Sequence, residues 1–425
     1  MSAMPDGGSA AADWIAASPS AAIGQRSLGD PARLFPLWPP LVSGCPASST
    51  QEMQYPLEID YDYARVAASL FDQPPLPGID RWAPLLPPLA PGLSLGEGGT
   101  PLIAAPGLAE WAGLDGELFL KDESRNPTWS HKDRLNLCIV SAALAAGAPG
   151  IAVASSGNHG AAAAAYAARA GLACVVVTSP AAQPAFRHFL AALGAHVVLA
   201  ATDERWTLLN RLVAATGFMP ASNLTRFHTG HPFGPEGYKT IAYEIFAQLG
   251  RRMPGTVIVP TGYGELLYGL SKGFRELVLF GLAERMPRLC SAEPAGRAPL
   301  HRAVHGNAVA VEVAGPSSLA AGIAATVGGY RGVLGLRDSG GKALLFSEAA
   351  VAAAAARLAR DGLWQEFSGA AGIAALREAR RDGEAFAEPV VAILTSAGLK
   401  ELPCATEDLP AYDSGSLDRL IAELT

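Results

Sequence analysis

A lysine at the start of an apolar helix is the first candidate nucleophile in this sequence. Lys132 follows the strand-like run LFLKDES and a turn at 126–128, and it precedes several leucine, isoleucine and valine residues. The positive end of the helix dipole and partial burial both lower an amine pKa, which makes the amine a usable nucleophile toward an aldehyde. Because Asp133 and Arg134 are adjacent, the local sequence also fits an exposed lysine in a charged helix cap.

A second candidate is the segment ASSGNHG at 154–160, which follows the run IAVA and precedes an alanine-rich helix. Its hydroxyls, its amide and several backbone N–H groups would converge at a helix N-terminus, where orphan amides and the helix dipole favour a carboxylate. A plain turn with a serine or asparagine cap is the alternative. The residues expected to bind are Ser155, Ser156, Gly157, Asn158 and His159.

A third candidate is the turn PTGYGEL at 260–266, between the run TVIVP and another apolar helix. Gly262 and Gly264 would let the backbone approach a phosphate at the helix N-terminus, although an ordinary structural loop fits this turn equally well. Without a third spaced glycine the turn is not a dinucleotide fingerprint. Glu265 would repel a phosphate, so its carboxylate must point away from the turn if the assignment holds.

The run VVAILTSAGLK at 390–400 places two hydroxyls, those of Thr395 and Ser396, at the end of a strand. If a bound ligand carries a pyridine ring, a neutral hydroxyl opposite the ring nitrogen forms one hydrogen bond with it and does not require that nitrogen to be protonated. A strand-terminal polar residue without a function is the common alternative.

These segments lie in a chain where β-rich runs alternate with helix-length stretches, which predicts an α/β fold with parallel sheets covered on both faces. Active sites in such sheets gather at the carboxyl ends of strands, where each candidate segment falls. The predicted strands are 118–121, 151–154, 173–178, 196–200, 256–260, 289–293 and 390–395. The predicted helices are 132–147, 159–171, 181–193, 204–216, 236–249, 264–283 and 347–361.

Length and composition restrict the class of protein. The chain has 425 residues, enough for two lobes, and is 50% hydrophobic and 17% charged. A net charge of -7 without a basic cluster argues against a nucleic-acid partner. The five scattered cysteines indicate neither a disulfide framework nor a zinc cluster. With no apolar run long enough to span a bilayer and no basic amino-terminal region, we expect a cytoplasmic protein without a membrane partner.

The amino-terminal residues 1–54 are rich in alanine, serine, glycine and proline without a hydrophobic period. This pattern predicts a flexible or loosely attached tail, with order beginning near YPLEIDYDYARV.

Taken in order, the segments resemble the threonine-synthase-like branch of the fold-type II pyridoxal-phosphate enzymes. NPTWSHKDR is similar to the cofactor-lysine motif NPTGSFKDR, and ASSGNHG to the asparagine loop. SLGEGGTPL resembles the arm motif, PEGYKT the segment EGQKT, PTGYGE the phosphate loop, and TSAGLK the motif TGHGLK. The resemblance runs from about Tyr55 to Lys400, and the lysine motif and the ordered spacing are its specific parts.

The resemblance implies two lobes, a large one of 55–127 plus 233–425 that binds pyridoxal 5'-phosphate and a small mobile one of 128–232. It implies that Lys132 holds the cofactor as a Schiff base and moves the α-proton of a small amino-acid substrate. The other cofactor contacts that it implies are Asn158, Gly262, Tyr263, Gly264, Glu265, Leu266 and Thr395. The substrate contacts that it implies are Ser155, Ser156, Gly157, His159, Thr100 and His131. Relatives are often dimers, so a homodimer is expected by analogy.

Several departures from the family pattern concern the substrate. Trp129 and His131 replace glycine and phenylalanine beside the lysine. Gly234 stands where threonine synthases usually carry a basic residue for the substrate phosphate, which weakens the case for O-phosphohomoserine. The region around Cys45 resembles the remnant of an amino-terminal zinc ribbon, and with one cysteine left we predict no zinc.

The predicted activity is that of a lyase, in which loss of the α-proton is followed by elimination or replacement of a β or γ substituent. Threonine-synthase chemistry, amino-acid ammonia-lyase chemistry and β-replacement remain open. A non-catalytic relative that binds a ligand is the alternative of another class. Glu265 is the residue that fits a non-catalytic relative, because its carboxylate would repel the phosphate of a cofactor. The intact Lys132 argues against such a relative. A nucleotide-binding protein would need a fingerprint that we do not find.

Overall fold

Three β-sheets organise the described part of the chain. The computed structural model describes residues 13–401, apart from 73, 75 and 202. Its strands in chain order are β1 (Ala22–Ser27), β2 (Leu34–Phe35), β3 (Leu57–Tyr61), β4 (Leu102–Ala104), β5 (Leu118–Asp122), β6 (Gly150–Ala154), β7 (Ala173–Thr178), β8 (His196–Leu199), β9 (Met219–Pro220), β10 (Thr256–Pro260), β11 (Arg288–Pro294), β12 (Lys342–Phe346) and β13 (Val390–Leu394).

Helices connect and cover these strands. The α-helices are α1 (Pro106–Ala112), α2 (Lys132–Ala145), α3 (Asn158–Ala170), α4 (Pro184–Ala192), α5 (Arg205–Thr216), α6 (Gly234–Gln248), α7 (Glu265–Leu279), α8 (Pro299–His305), α9 (Tyr330–Asp338), α10 (Glu348–Arg360) and α11 (Phe367–Arg381). Short 3-10 helices lie at Tyr63–Arg65, Ala68–Asp72, Ile79–Leu85, Glu123–Arg125 and Gly398–Glu401.

The larger sheet has the strand order β12-β11-β10-β13-β5-β4 within the described residues. All neighbouring strands run parallel except the edge strand β4, which is antiparallel to β5. Every residue of β10 and of β13 is buried. Strands buried on both faces consist of continuous apolar residues, and this is why both were recognisable in the sequence.

The smaller sheet has the order β8-β7-β6-β9 and is parallel throughout. Its strands lie between residues 150 and 220, whereas the strands of the larger sheet lie on either side of that range. The prediction of an α/β fold with two parallel sheets is therefore confirmed. In the described part of the chain, none of the helices combines the length and the apolar character that crossing a membrane requires.

The prediction of a flexible tail over residues 1–54 is wrong for residues 13–54, the part that the structure describes. There β1 pairs antiparallel with β2 and with β3, forming a three-stranded sheet. Gln25 and Cys45 are buried, and the Gln25 amide donates to the carbonyls of Pro36 and Pro39, at 2.9 Å in each case. The sheet was not predicted from the sequence because much of its apolar surface comes from β3, whereas β1 is polar and contains a glycine.

Candidate functional site

Lys132 is the first residue of α2 and is largely buried. Its Nζ donates a hydrogen bond of 2.9 Å to the hydroxyl of Tyr238 on α6. Burial lowers the pKa of Lys132, while the carboxylate of Glu265 opposes this and raises it. A buried amine with a neutral hydrogen-bond partner and a lowered pKa is suited to act as a nucleophile and as a base.

The turn before Lys132 is tied to the carboxyl end of β13. The backbone N–H of His131 and its Nδ1 both lie 3.1 Å from the Thr395 carbonyl oxygen, and the Ala397 N–H donates to the Trp129 carbonyl at 3.1 Å. The Asp133 carboxylate accepts from the backbone and the hydroxyl of Thr128, at 2.9 and 2.7 Å. These contacts hold the lysine at the edge of the larger sheet, where its strands end.

A buried ion network fixes the other side of this helix start. The Arg134 guanidinium contacts Glu123 at 2.7 Å and Glu244 at 2.6 Å, and all three side chains are buried. Thr100, expected at the substrate, lies in this network, where its hydroxyl donates to Glu123 at 2.6 Å. The arm motif, α2 and α6 are thereby joined beneath the site.

The ASSGNHG loop connects β6 to α3 at the edge of the smaller sheet. The Ser155 hydroxyl oxygen accepts from the N–H groups of Gly157 and Gly160, at 3.3 and 3.0 Å, so it closes the turn itself. The Ser156 hydroxyl oxygen accepts from Arg205 Nη1 at 2.8 Å. Gly157 gives α3 no side-chain cap, so the N–H groups of Asn158 and His159, its first two residues, remain available for an anion.

Asn158 links this loop to the end of β13. Its Nδ2 donates to Glu366 at 2.8 Å, and its Oδ1 accepts from Ser396 at 3.1 Å and from Lys400 at 2.6 Å. Burial lowers the pKa of Lys400 to about 8. The two sheets therefore meet at Asn158, close to Thr395 and to the lysine turn.

His159, the next residue, faces the same region. Its Nε2 is buried without a hydrogen-bond partner in the described part of the chain. Burial and the charge of Lys132 lower its pKa to about 3. An imidazole nitrogen without a partner, close to a nucleophilic amine, is the kind of group that a ligand satisfies.

The glycine-rich turn lies between β10 and α7. Gly264 has a φ of 91°, and a Cβ on it would lie 2.5 Å from the Cα of Gly332. Only glycine fits there, because the conformation is left-handed and the neighbouring backbone is close. Tyr263 stacks on the ring of His228, with centroids 4.1 Å apart and planes 9° apart, while Leu266 is buried.

Glu265 turns toward the 222–233 loop. A Cβ on Gly230 would overlap its carboxylate, and an Nη1 of Arg331 reaches the same position. Despite burial, the charges of His228, Lys132, Arg331 and His159 keep the pKa of Glu265 below its usual value. The carboxylate is therefore ionised at neutral pH.

The structure brings Lys132, Asn158, His159, Thr395 and the Gly262–Glu265 turn into one region and places Thr100 beneath it. Sequence reasoning assigned no role to five residues that contact this region. Tyr238 lies in PEGYKT and Lys400 in TSAGLK, both of which resemble family motifs, so these two residues were usable signals, whereas the other three lie outside any recognised motif. These residues are Tyr238, Glu366, Lys400, His228 and Arg205.

Comparisons with known proteins identify the family of this chain. Residues 93–396 match the family model described as pyridoxal-phosphate dependent enzyme. The threonine synthase of Methanosarcina acetivorans is 31% identical over 360 residues, covering 83% of this chain and 87% of that protein. The threonine synthase of Mycobacterium tuberculosis is 34% identical over 353 residues, covering 81% and 91%.

A solved structure shares the fold. The T.th. threonine deaminase matches with a TM-score of 0.61 and 26% identity, covering 73% of this chain and 94% of that chain. With a family model that spans most of the chain and with relatives at this identity, the chain belongs to the pyridoxal-phosphate-dependent enzymes, in their threonine-synthase-like branch.

Proposed function

We propose that Lys132 is the lysine that holds pyridoxal 5'-phosphate and that it removes the α-proton of a small amino acid in a lyase reaction. The observation that carries this proposal is the Lys132 amine, which is largely buried, has a lowered pKa and is hydrogen bonded to the neutral Tyr238 hydroxyl at 2.9 Å. A lysine with only a structural role would gain most from a carboxylate partner within ion-pair distance.

The residues around Lys132 fit the cofactor. A phosphate can bind at the start of α7, where Gly264 provides no side-chain cap and leaves the first N–H groups open. Thr395, whose side chain is almost fully buried, would face the ring nitrogen, and the Asn158 amide would reach the ring hydroxyl. Gly262, Tyr263, Glu265 and Leu266 complete the turn around the phosphate.

Glu265 is the residue that suits a phosphate least, and its orientation supports the fit. The carboxylate points toward Gly230 and Arg331. The nearby Arg331 guanidinium offsets its charge.

When bound, the cofactor supplies an electron-accepting ring for the charge that develops at the α-carbon. Lys132 Nζ takes the α-proton, and the Tyr238 hydroxyl orients that amine. The open N–H groups at the start of α3 hold the substrate carboxylate, which sets the α C–H bond toward Lys132. His159 and His131 border the substrate, with Ser155, Ser156 and Gly157 shaping the carboxylate loop.

Position 234 bears on the choice of substrate. Gly234 is buried at the start of α6, and a Cβ on it would lie 3.0 Å from Leu135 and 3.1 Å from Ile139. Gly234 itself supplies no basic side chain for a substrate phosphate, and a larger residue there would require Leu135 and Ile139 to give by a few tenths of an ångström. This observation favours a second candidate function beside threonine-synthase chemistry. In that function the substrate is an amino acid whose β substituent is eliminated or replaced.

The test is the visible absorbance of the purified protein before and after borohydride reduction, with peptide mapping of the modified lysine. We expect an absorbance band that disappears on reduction and a pyridoxyl group on Lys132. Lys132→Ala should lose the reducible band, whereas Lys342→Ala, at an exposed ion pair with Glu384, should keep it. A protein that takes up no added cofactor would support the non-catalytic relative instead.

We also propose that the enzyme acts in the cytoplasm and forms a homodimer. We further propose that residues 128–232 form a lobe that closes over the substrate. The buried free thiols of Cys45, Cys138, Cys174 and Cys290 support a reducing compartment. Sedimentation of the holoenzyme tests the dimer, and small-angle scattering with and without a bound amino acid tests the closure.

A further inference from the structure

Trp129 has a backbone conformation that its residue type disfavours. Its φ is 59°, in the left-handed region, and the family motif that it resembles has glycine at this position. Its side chain is 44% exposed, so burial does not compensate for the conformation. A strained, exposed tryptophan three residues before the nucleophilic lysine points to a role outside the folding of the free protein.

The surrounding backbone imposes this conformation. The Trp129 N–H donates to the Asn126 carbonyl at 2.8 Å, and its carbonyl accepts from the Ala397 N–H at 3.1 Å. Both hydrogen bonds come from segments that also position Lys132, so the backbone of Trp129 is fixed relative to the amine.

The indole reaches toward the smaller sheet. Its ring lies 5.8 Å from the ring of Phe189 on α4, with an angle of 54° between the planes. Phe186, on the same helix, lies 3.3 Å from the position that a Cβ on Gly160 would take, at the start of α3. Trp129 and Phe189 therefore lie between the lysine turn and helix α4, whose Phe186 packs against the start of α3.

We propose that Trp129 is a specificity-determining residue whose indole, with Phe189, packs against the β substituent of the amino acid and selects apolar or planar substituents. The inference rests on the function proposed above. Binding such a substituent covers apolar surface that is exposed in the free enzyme, whereas a charged substituent would lose its hydration against the two rings. Gly234 points the same way, because it supplies no basic side chain for a charged substituent.

The test measures dissociation constants of the holoenzyme from the shift of its cofactor absorbance. The probes are S-phenyl-L-cysteine, S-methyl-L-cysteine and O-phospho-L-serine. The wild-type enzyme should bind the phenyl compound about tenfold more tightly than the methyl compound, and the phosphorylated one most weakly. Trp129→Gly should reduce the phenyl-to-methyl preference to less than about twofold while leaving the affinity for S-methyl-L-cysteine nearly unchanged.

The matched control is Asn307→Gly, which relieves another positive φ, of 52°, at a residue with no part in the proposed site. It should keep the wild-type preference. Asparagine tolerates the left-handed conformation, so Trp129→Asn should show the same loss of preference as Trp129→Gly. Neither variant should melt at a lower temperature than the wild-type protein. An unchanged preference in both Trp129 variants, or tightest binding of O-phospho-L-serine to wild type, would overturn the inference. A protein without cofactor absorbance would instead refute the proposed function.

Discussion

The Nζ of Lys132 and the hydroxyl of Tyr238 lie 2.9 Å apart, joining the start of α2 to the second turn of α6. The ammonium also lies over the tyrosine ring, 5.4 Å from its centroid. Burial raises the pKa of Tyr238 well above its usual value, so the phenol stays neutral and keeps its proton. The pair therefore holds the amine in position without the strong stabilisation of the charged form that a carboxylate would give.

Replacing Tyr238 by phenylalanine removes this hydrogen bond and leaves the ring in place. We expect kcat to fall by about tenfold, because a free lysine amine samples more orientations relative to the α-proton. The cofactor should remain bound, which its absorbance will show.

Tyr243→Phe on the same helix provides the control, because Tyr243 hydrogen bonds to Glu276 in the core, away from Lys132. That variant should lose stability and retain kcat. Equal losses of kcat in the two variants would mean that Tyr238 acts through packing alone.

Replacing Glu265 by glutamine removes a negative charge beside the proposed phosphate site. Glu265 is ionised at neutral pH because neighbouring positive charges lower its pKa. We expect pyridoxal 5'-phosphate to bind at least about tenfold more tightly to Glu265→Gln, since like charges near a protein surface repel by roughly 1–4 kcal/mol. Fluorescence titration of the cofactor-free protein measures this affinity.

Glu265→Asp retains the charge and should keep an affinity close to that of wild type. Weaker binding to Glu265→Gln would indicate that the carboxylate orders the turn through His228 and Arg331, and it would contradict the repulsion argument.

Buried parallel strands were predictable because they consist of uninterrupted apolar residues. The strands Thr256–Pro260 and Ala173–Thr178 have the predicted bounds, and Val390–Leu394 differs by one residue. By contrast, the helix Phe367–Arg381 was missed because a serine and two glycines interrupt its apolar face. The helix nevertheless packs on the sheet, where Gly372 lies next to Ile258.

The site was predictable where its residues are neighbours in sequence. The lysine turn, the asparagine loop and the glycine-rich turn each form one segment with a recognisable composition. The partners of these residues were not predictable, since Tyr238 is 106 residues from Lys132 and Glu366 is 208 residues from Asn158. Only the folded chain brings such pairs together, because the sequence pattern records local periodicity and not contacts between elements.

Glu293, at the end of β11, should make stability depend on pH. Its buried carboxyl group accepts hydrogen bonds from the N–H groups of Leu300 and His301, at 3.0 and 2.7 Å, yet burial raises its pKa from 4.5 to about 8. The folded protein therefore binds this proton more tightly than the unfolded chain does. The contribution is fully present below pH 4.5 and is lost as the pH rises toward 8.

Replacing Glu293 by glutamine removes this dependence. The melting temperature of Glu293→Gln relative to wild type should increase between about pH 5 and about pH 8.5, as differential scanning fluorimetry would show. Glu293→Asp retains an ionisable group and should follow the wild-type trend. A constant difference between Glu293→Gln and wild type across this range would refute the assignment.

Replacing Arg134 by methionine should destabilise the fold more than any surface ion-pair mutation. Arg134 contacts Glu123 and Glu244, and all three side chains are buried. Removing the guanidinium leaves two buried carboxylates, of which Glu244 keeps Lys121 at 2.7 Å. Breaking a buried ion pair in this way costs roughly 3–5 kcal/mol, because an uncompensated charge stays in the interior.

Arg226→Met is the matched control, because Arg226 pairs with Glu312 at 3.1 Å with both side chains more than half exposed. Its cost should stay below about 1 kcal/mol, since solvent screens such a pair. Chemical denaturation of the two variants gives the comparison. Since Arg134 lies two residues after Lys132, Arg134→Met should also weaken cofactor retention, and Arg226→Met should not. Comparable stability of the two variants would show that the carboxylates of Glu123 and Glu244 take up protons or water when the Arg134 guanidinium is absent. It would also show that this ion network does not anchor Lys132.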